Sequence, residues 1–206
     1  MGRRSVHTAE QLREVILQAS ADILQEQGLQ GLSAREIARR IDYSPGTLYN
    51  VFENLDDIVL TIEGRMLDGL AAVLAALPGV SDPRLDVRNL AHAYLGYSHA
   101  HPKLWNLLFE HHLPAGRDVP GWYKAKLDGL LARVENAVRP LLPDADEEAV
   151  KRSARVLWAG VHGITSLSTA DKLANVTSDS AAPLIDDLVG LYLAGLQAQH
   201  EARLRA

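Results

Sequence analysis

Ser33-Ala34-Arg35-Glu36-Ile37-Ala38-Arg39-Arg40-Ile41-Asp42-Tyr43-Ser44-Pro45-Gly46-Thr47-Leu48-Tyr49-Asn50-Val51-Phe52 is the stretch from which the fold can be read. Ser33 followed three residues later by Glu36 is a capping box, in which hydroxyl and carboxylate satisfy the free amides of a helix start. Ile37, Ala38 and Ile41 give the helix it opens an inward face, and its length is only two to three turns. Asp42 and Tyr43 then make a tight connection. Ser44 can cap the next helix, and Pro45, with fixed φ and no amide hydrogen, suits its first position. That helix is predicted over about 45–52, with Leu48 and Phe52, four apart, turned to the core. Two short helices joined in this way form a helix-turn-helix pattern, whose second helix can lie in the major groove of DNA.

Outward from this stretch, helical spacing continues almost throughout. The preceding helix is predicted over about Thr8 to Gln27, with a capping box at Thr8 and Gln11 and one apolar stripe through Leu12, Val15, Ile16, Ala19, Ile23 and Leu24. Gly28 supplies the left-handed position that ends it. After the quoted stretch, Asn54-Leu55-Asp56-Asp57 caps a longer helix that reaches about Leu77 before Pro78-Gly79. Breaks at Asp82-Pro83, His101-Pro102, Leu113 to Pro120, Pro143-Asp144 and Ala170 to Pro183 divide the remainder into about five helices. The last two, near Asp146 to Thr169 and Ala181 to Arg203, are the longest. No stretch alternates as a half-buried strand would. The expected fold is therefore all-α, with an N-terminal three-helix unit over 8–67 joined by a long helix to a C-terminal helical domain over 68–206.

Composition narrows the chemistry. The 206 residues are 47% hydrophobic and 23% charged, as in an ordinary globular protein, and long enough for one core plus a small module. There is no cysteine, which excludes disulfides, thiolate metal sites and thiol nucleophiles. No signal-peptide core can be drawn near the start, and the longest uncharged stretches fall short of the roughly 18 residues a spanning helix needs. A cytoplasmic protein without a membrane partner is the expectation.

In the second helix of the motif, Leu48, Val51 and Phe52 face inward or partly so, leaving Pro45, Gly46, Thr47, Tyr49 and Asn50 to face DNA. Gly46 permits close approach of a backbone, and the helix start can offer amides to a phosphate. Thr47 can touch a thymine methyl or a base edge, Asn50 can pair with adenine, and the Tyr49 hydroxyl can reach a phosphate. Arg35 suits a phosphate or guanine, and the capping residues Ser33 and Ser44 complete the candidate set.

The run Gly31 to Ala38, followed by Ser44-Pro45-Gly46-Thr47-Leu48-Tyr49 and Phe52, resembles the DNA-binding domain of TetR-type transcriptional regulators over about Thr8 to Leu67. Tyr94 to Phe109, with His101-Pro102 and Leu104-Trp105, and Trp158-Ala159-Gly160-Val161-His162-Gly163 look like the Trp-His-Gly type of C-terminal domain in that family. The resemblance implies a ligand-responsive homodimer, usually a repressor. It would bind a pseudo-palindromic double-stranded operator and release it when a small-molecule effector enters the C-terminal ligand-binding and dimerisation domain. It also implies dimerisation through the last two helices, where Gly160 and Gly163 would let a partner helix approach.

Two positions depart from the family pattern. Members often carry His two residues after the tyrosine and Lys in the turn opening the fourth helix, where this chain has Val51 and Leu55. Residues 1–64 hold six arginines against ten carboxylates, a net −4, so the DNA-binding half is the more acidic one. Binding is expected to depend on local cations, namely Arg35, Arg39, Arg40 and the N-terminal Arg3 and Arg4, with a shallow salt dependence. The acidic balance motivates an alternative reading as a helical small-molecule binding protein with little DNA affinity.

Tyr94, Tyr97, Trp105, Phe109, Trp122, Trp158 and His162 are the candidate ligand-binding residues, since small-molecule sites are apolar with a few hydroxyl, indole and imidazole groups. His92, His99, His101, His111 and His112 crowd together but lack a ligand spacing such as His-Glu-x-x-His, so no metal and no cofactor are expected. No Gly-x-Ser-x-Gly elbow or phosphate-cradling loop is present, and no catalytic residue is assigned.

Overall fold

The computed structural model of the chain describes residues 7–204. Among the described residues it contains nine α-helices and no strand. In order these are α1 (Ala9–Gln27), α2 (Ala34–Arg40), α3 (Pro45–Leu48), α4 (Leu55–Ala75), α5 (Pro83–Ala100), α6 (Pro102–Glu110), α7 (Gly121–Val138), α8 (Glu147–Thr169) and α9 (Ala181–Leu204). None is long and apolar enough to cross a membrane among the described residues.

The caps explain most of these boundaries. The Thr8 hydroxyl accepts from the Gln11 amide while the Gln11 side chain accepts from the Thr8 amide, closing the expected box. Asn54 Oδ1 accepts from the Asp57 amide at 3.0 Å, and Asp57 Oδ2 accepts from the Glu53 amide at 3.2 Å, so two side-chain caps open α4. Asp82 and Asp146 cap α5 and α8 with their side chains. Gly28 ends α1 with a positive φ of 70°, as expected, but its ψ of −170° lies outside the left-handed helical well, in a region open essentially to glycine alone.

Two compact units divide the chain: 1–66 with 103–123, and 67–102 with 124–206. Both boundaries of the inserted piece were absent from the sequence reading, which ran the second unit from residue 68 to the end. In the first unit α1, α2 and α3 enclose Ile16, Ile23, Ile37 and Leu48, all 0% exposed. The amphipathic α6 adds buried Leu104, Trp105 and Leu107. In the second unit α5, α8 and α9 pack on one another around Val150, Ala154, Val161, Ile185 and Val189.

Candidate nucleic-acid interface

The turn between α2 and α3 is built on Asp42, which sits at φ 56°, the left-handed region that a short polar side chain tolerates better than most. The Tyr43 amide donates back to Ala38 O at 3.0 Å, and the Tyr43 hydroxyl lies 2.7 Å from His7 Nδ1. Leu48 then anchors α3 with a fully buried side chain, so the opposite face is presented outward. Ser44, Pro45, Gly46, Tyr49 and Asn50 are exposed, Tyr49 by 53%, and Thr47 is half-buried. An added side chain at Gly46 would meet nothing within 4 Å, so no neighbour inside the protein requires glycine there.

The second helix of the motif is shorter than the expected 45–52. Regular α-helix stops at Leu48 and the chain continues as turns, with Val51 and Phe52 amides both donating to Leu48 O. The Asn50 amide likewise donates to Thr47 O, so 49–51 wind as tighter three-residue turns, and Phe52, four after Leu48, still reaches the core at 3% exposure. Ser44 does not cap through its side chain; its hydroxyl lies 2.9 Å from that of Thr47.

The capping box at Ser33 is half formed. The Ser33 hydroxyl accepts from the Glu36 amide, but the Glu36 carboxylate turns to Arg39 Nε and Nη2, each at 2.8 Å, and to Arg40 Nε at 3.0 Å. Hydrogen bonds from Arg39, then Arg40, hold the Glu36 carboxyl down at about 2. Arg40 also forks onto Glu26 of α1 at 2.6 and 3.1 Å. Of the local cations expected to serve DNA, Arg40 thus also ties α1 to α2, and Arg39 is shared with Glu36. Arg35 is exposed and, among the described residues, unpaired. Arg3 and Arg4 lie outside the described residues.

The second unit holds an apolar cavity of about 40 Å³ lined by Leu74, Val87, Leu90, Ala91, Tyr94, Val134, Leu157, Trp158 and Val161. Two of the candidate ligand residues, Tyr94 and Trp158, form part of its wall, and His162 joins them. Its ring stacks on Trp158 at 5.3 Å, and Nδ1 lies 3.1 Å from the Tyr94 hydroxyl. Burial pushes the Tyr94 hydroxyl up and the His162 imidazole down, so both are neutral and the cavity carries no charge. Tyr97 instead places its hydroxyl against Gly69 of α4, where any side chain would collide with it. Trp105, Phe109 and Trp122 belong to the first unit, which removes them from this cavity. Trp105 is buried beside Phe109 in the amphipathic α6, whereas Trp122 is exposed.

Residues 87–192 match the profile of the tetracyclin repressor-like C-terminal domain, and residues 16–62 match that of the bacterial regulatory proteins of the tetR family. The chain belongs to the TetR family. Its members are transcriptional regulators rather than enzymes, and this TetR-family chain is a DNA-binding, ligand-responsive regulator. It is 25% identical over 186 residues to an uncharacterized HTH-type transcriptional regulator of Mycobacterium tuberculosis, covering 90% of this chain and 81% of that one. Its fold is similar to that of a protein with unknown function from Rhodococcus sp. RHA1, with a TM-score of 0.75 at 22% identity, covering 95% of this chain and 100% of that one. A TetR-family transcriptional regulator from Streptomyces coelicolor gives a TM-score of 0.62 at 20% identity, covering 89% and 98%.

Other TetR-family expectations meet the structure unevenly. Gly160 does allow close helix approach, but to Leu188 of α9 in the same chain, whose side chain already fills the space above it. Gly163 opens onto free space. The crowded histidines separate onto different partners: His92 on Asp186, His99 on Ser168, His101 against the Tyr97 ring, and His111 on Glu63 and Asp56. Arg13 was missed altogether. It donates from Nη1 to Val51 O at 3.0 Å and from Nη2 to Thr61 Oγ1 at 3.3 Å, bracing the end of the reading segment against α1 and α4. Its place on the exposed side of the α1 stripe was the only sequence signal available.

Proposed function

We propose that this regulator is a cytoplasmic repressor that binds a pseudo-palindromic operator as a homodimer and is released by a small, largely apolar effector. The observation that carries the reading is the outward face of 44–50 over a fully buried Leu48, with a glycine at 46 that nothing inside the protein requires. Close approach of a DNA backbone supplies that requirement. Ser33, Arg35, Ser44, Pro45, Gly46, Thr47, Tyr49 and Asn50 make the contacts, with Thr47 and Asn50 on base edges and Arg35 and Tyr49 on phosphate.

Functionally, 8–67 is the DNA-binding domain and 68–206 the ligand-binding and dimerisation domain. The effector enters at the cavity beside Tyr94, Trp158 and His162, which at about 40 Å³ has to widen to hold it and whose neutral groups favour an uncharged ligand. It acts through α4, which is continuous from one unit to the other. Dimerisation uses α8 and α9. Beyond the core faces already described, α9 leaves Leu191 75% exposed and α8 leaves Val156 and Leu167 exposed, with Ala159, Gly163, Gly190 and Ala194 on the same outer surfaces. A helix apolar on both sides needs a second partner.

The test is titration of the full chain against a tiled duplex of the DNA flanking its own gene at two salt concentrations, with Tyr49→Ala alongside. Saturable binding to one tile, lost in the variant, is expected. Weak binding to every tile that salt erases and the variant leaves unchanged would overturn the assignment. If a saturating effector left operator affinity unchanged, the release step would fail by itself.

A further inference from the structure

We propose that His111, held as an imidazolium between Glu63 and Asp56, is a positioning residue that clamps the 103–123 segment onto α4 and thereby sets operator affinity. The link to operator affinity rests on the reading of 44–50 as the DNA-contacting face.

The geometry favours both ring protons. His111 Nδ1 lies 3.0 Å from Glu63 Oε1 and Nε2 lies 3.4 Å from Asp56 Oδ1. An ionised carboxylate only accepts, so between two of them a ring that bonds through both nitrogens donates from both, and only the doubly protonated ring has two N–H groups. The surroundings favour that charge. Glu63 is 2% exposed and the His111 side chain 6%, and a carboxylate so buried needs a cation beside it. His111 also follows the last residue of α6, its amide donating to Leu107 O at 3.0 Å, so the ring sits at the negative end of a helix.

The charged and titratable neighbours come from three elements. Glu63 and Asp56 stand on α4. Arg117, after α6, approaches the other Asp56 oxygen at 3.5 Å. Tyr123 on α7 hydrogen-bonds Glu63, and burial holds its hydroxyl protonated. Glu110 and His112 flank along the chain, with His112 Nδ1 on the Glu110 carbonyl. The Glu63 hydrogen bond, above all, holds the His111 imidazole above its ordinary value, against the opposing effect of burial.

A group whose proton is held more tightly in the folded state contributes stability in full below the unfolded value of about 6.5, and loses it as pH rises through the folded value. When His111 is neutral, Nδ1–H stays on Glu63 and the Nε2 lone pair faces Asp56. The 103–123 segment then loses one of its two ring bonds to α4, and Asp56 is the second residue of α4, four after Phe52. Loosening therefore begins where the reading segment joins its supporting helix.

The experiment follows the His111 ring by NMR in the full chain, its signal assigned by its absence in His111→Gln, with melting and operator binding measured between pH 6 and 9. Titration above 6.5 is expected, brought down by Glu63→Gln. The wild-type melting temperature should fall more steeply with pH than that of His111→Gln. Operator affinity should weaken as pH rises across the range, by about tenfold for each unit by which operator binding itself raises the His111 titration, a dependence absent in His111→Gln. Titration at or below 6.5 would overturn the clamp, and does so even if the variants fail to fold. Tight operator binding with the same pH profile in wild type and His111→Gln would overturn the positioning role. A normal titration and melt with no operator binding at any pH would instead remove the DNA-contacting assignment and leave the clamp.

Discussion

The Arg13 guanidinium carbon lies 4.2 Å from the centre of the Phe52 ring, so one cation both covers the aromatic that ends the reading segment and holds the carbonyl next to it. Phe52 provides the apolar anchor and Arg13 fixes its angle through a planar fork reaching Val51 and Thr61. Arg13→Ala should cost about 2 kcal/mol in urea denaturation, the sum expected of a cation–π contact and charge-assisted hydrogen bonds at a half-buried site. Arg13→Lys should recover little of it, because a single ammonium cannot reproduce the fork. Full recovery by lysine would show that charge alone matters.

Asp42 makes the tight turn with φ 56°. Asp42→Gly and Asp42→Asn should be tolerated, whereas Asp42→Val should lower stability by about 1–2 kcal/mol, the cost of a branched residue in the left-handed region. Thermal melts of the three variants check this. An equal loss in all three would locate the role of Asp42 in its carboxylate rather than in its backbone.

Salt dependence should be shallow. With Arg40 tied to Glu26 and Glu36 and the first 64 residues at net −4, a slope equivalent to fewer than about eight phosphate contacts per dimer is expected from operator binding between low and moderate salt. Glu36→Gln removes the carboxylate that holds Arg39 and should steepen the slope and tighten binding. A steep wild-type slope, or weaker binding by Glu36→Gln with an unchanged melt, would contradict this.

Leu191→Glu places a charge on an apolar residue of α9 that is 75% exposed. Light scattering should show a shift from dimer to monomer, with circular dichroism unchanged because Leu191 is so exposed in its own chain. A variant that stays dimeric would move the interface away from α8 and α9.

Much of the fold was legible in the sequence because helix boundaries here are written in caps and breakers, as at Thr8, Ser33, Pro45 and Asp82. The early end of α3 at Leu48 was not legible, because Leu48 and Phe52 share the inward face whether 49–51 wind as α-helix or as tighter turns. The outward face of 44–50 followed from the spacing of Leu48 and Phe52. The cation set did not, because Glu26 and Arg40 lie fourteen residues apart and nothing in the spacing announces that they meet. The candidate ligand residues were chosen by type, and type is blind to which unit a helix joins. Trp105 and Trp158 look alike in sequence and end on different cores.

That α6 and its flanks belong with the N-terminal helices has a practical consequence for recombination. An N-terminal unit exchanged between relatives by a single splice near residue 67 would part Glu63 from the His111 ring that bonds it, and Leu104, Trp105 and Leu107 from the unit in which they are buried. The transferable module is two stretches of chain, 1–66 and 103–123, and a functional chimera has to inherit both from the same parent.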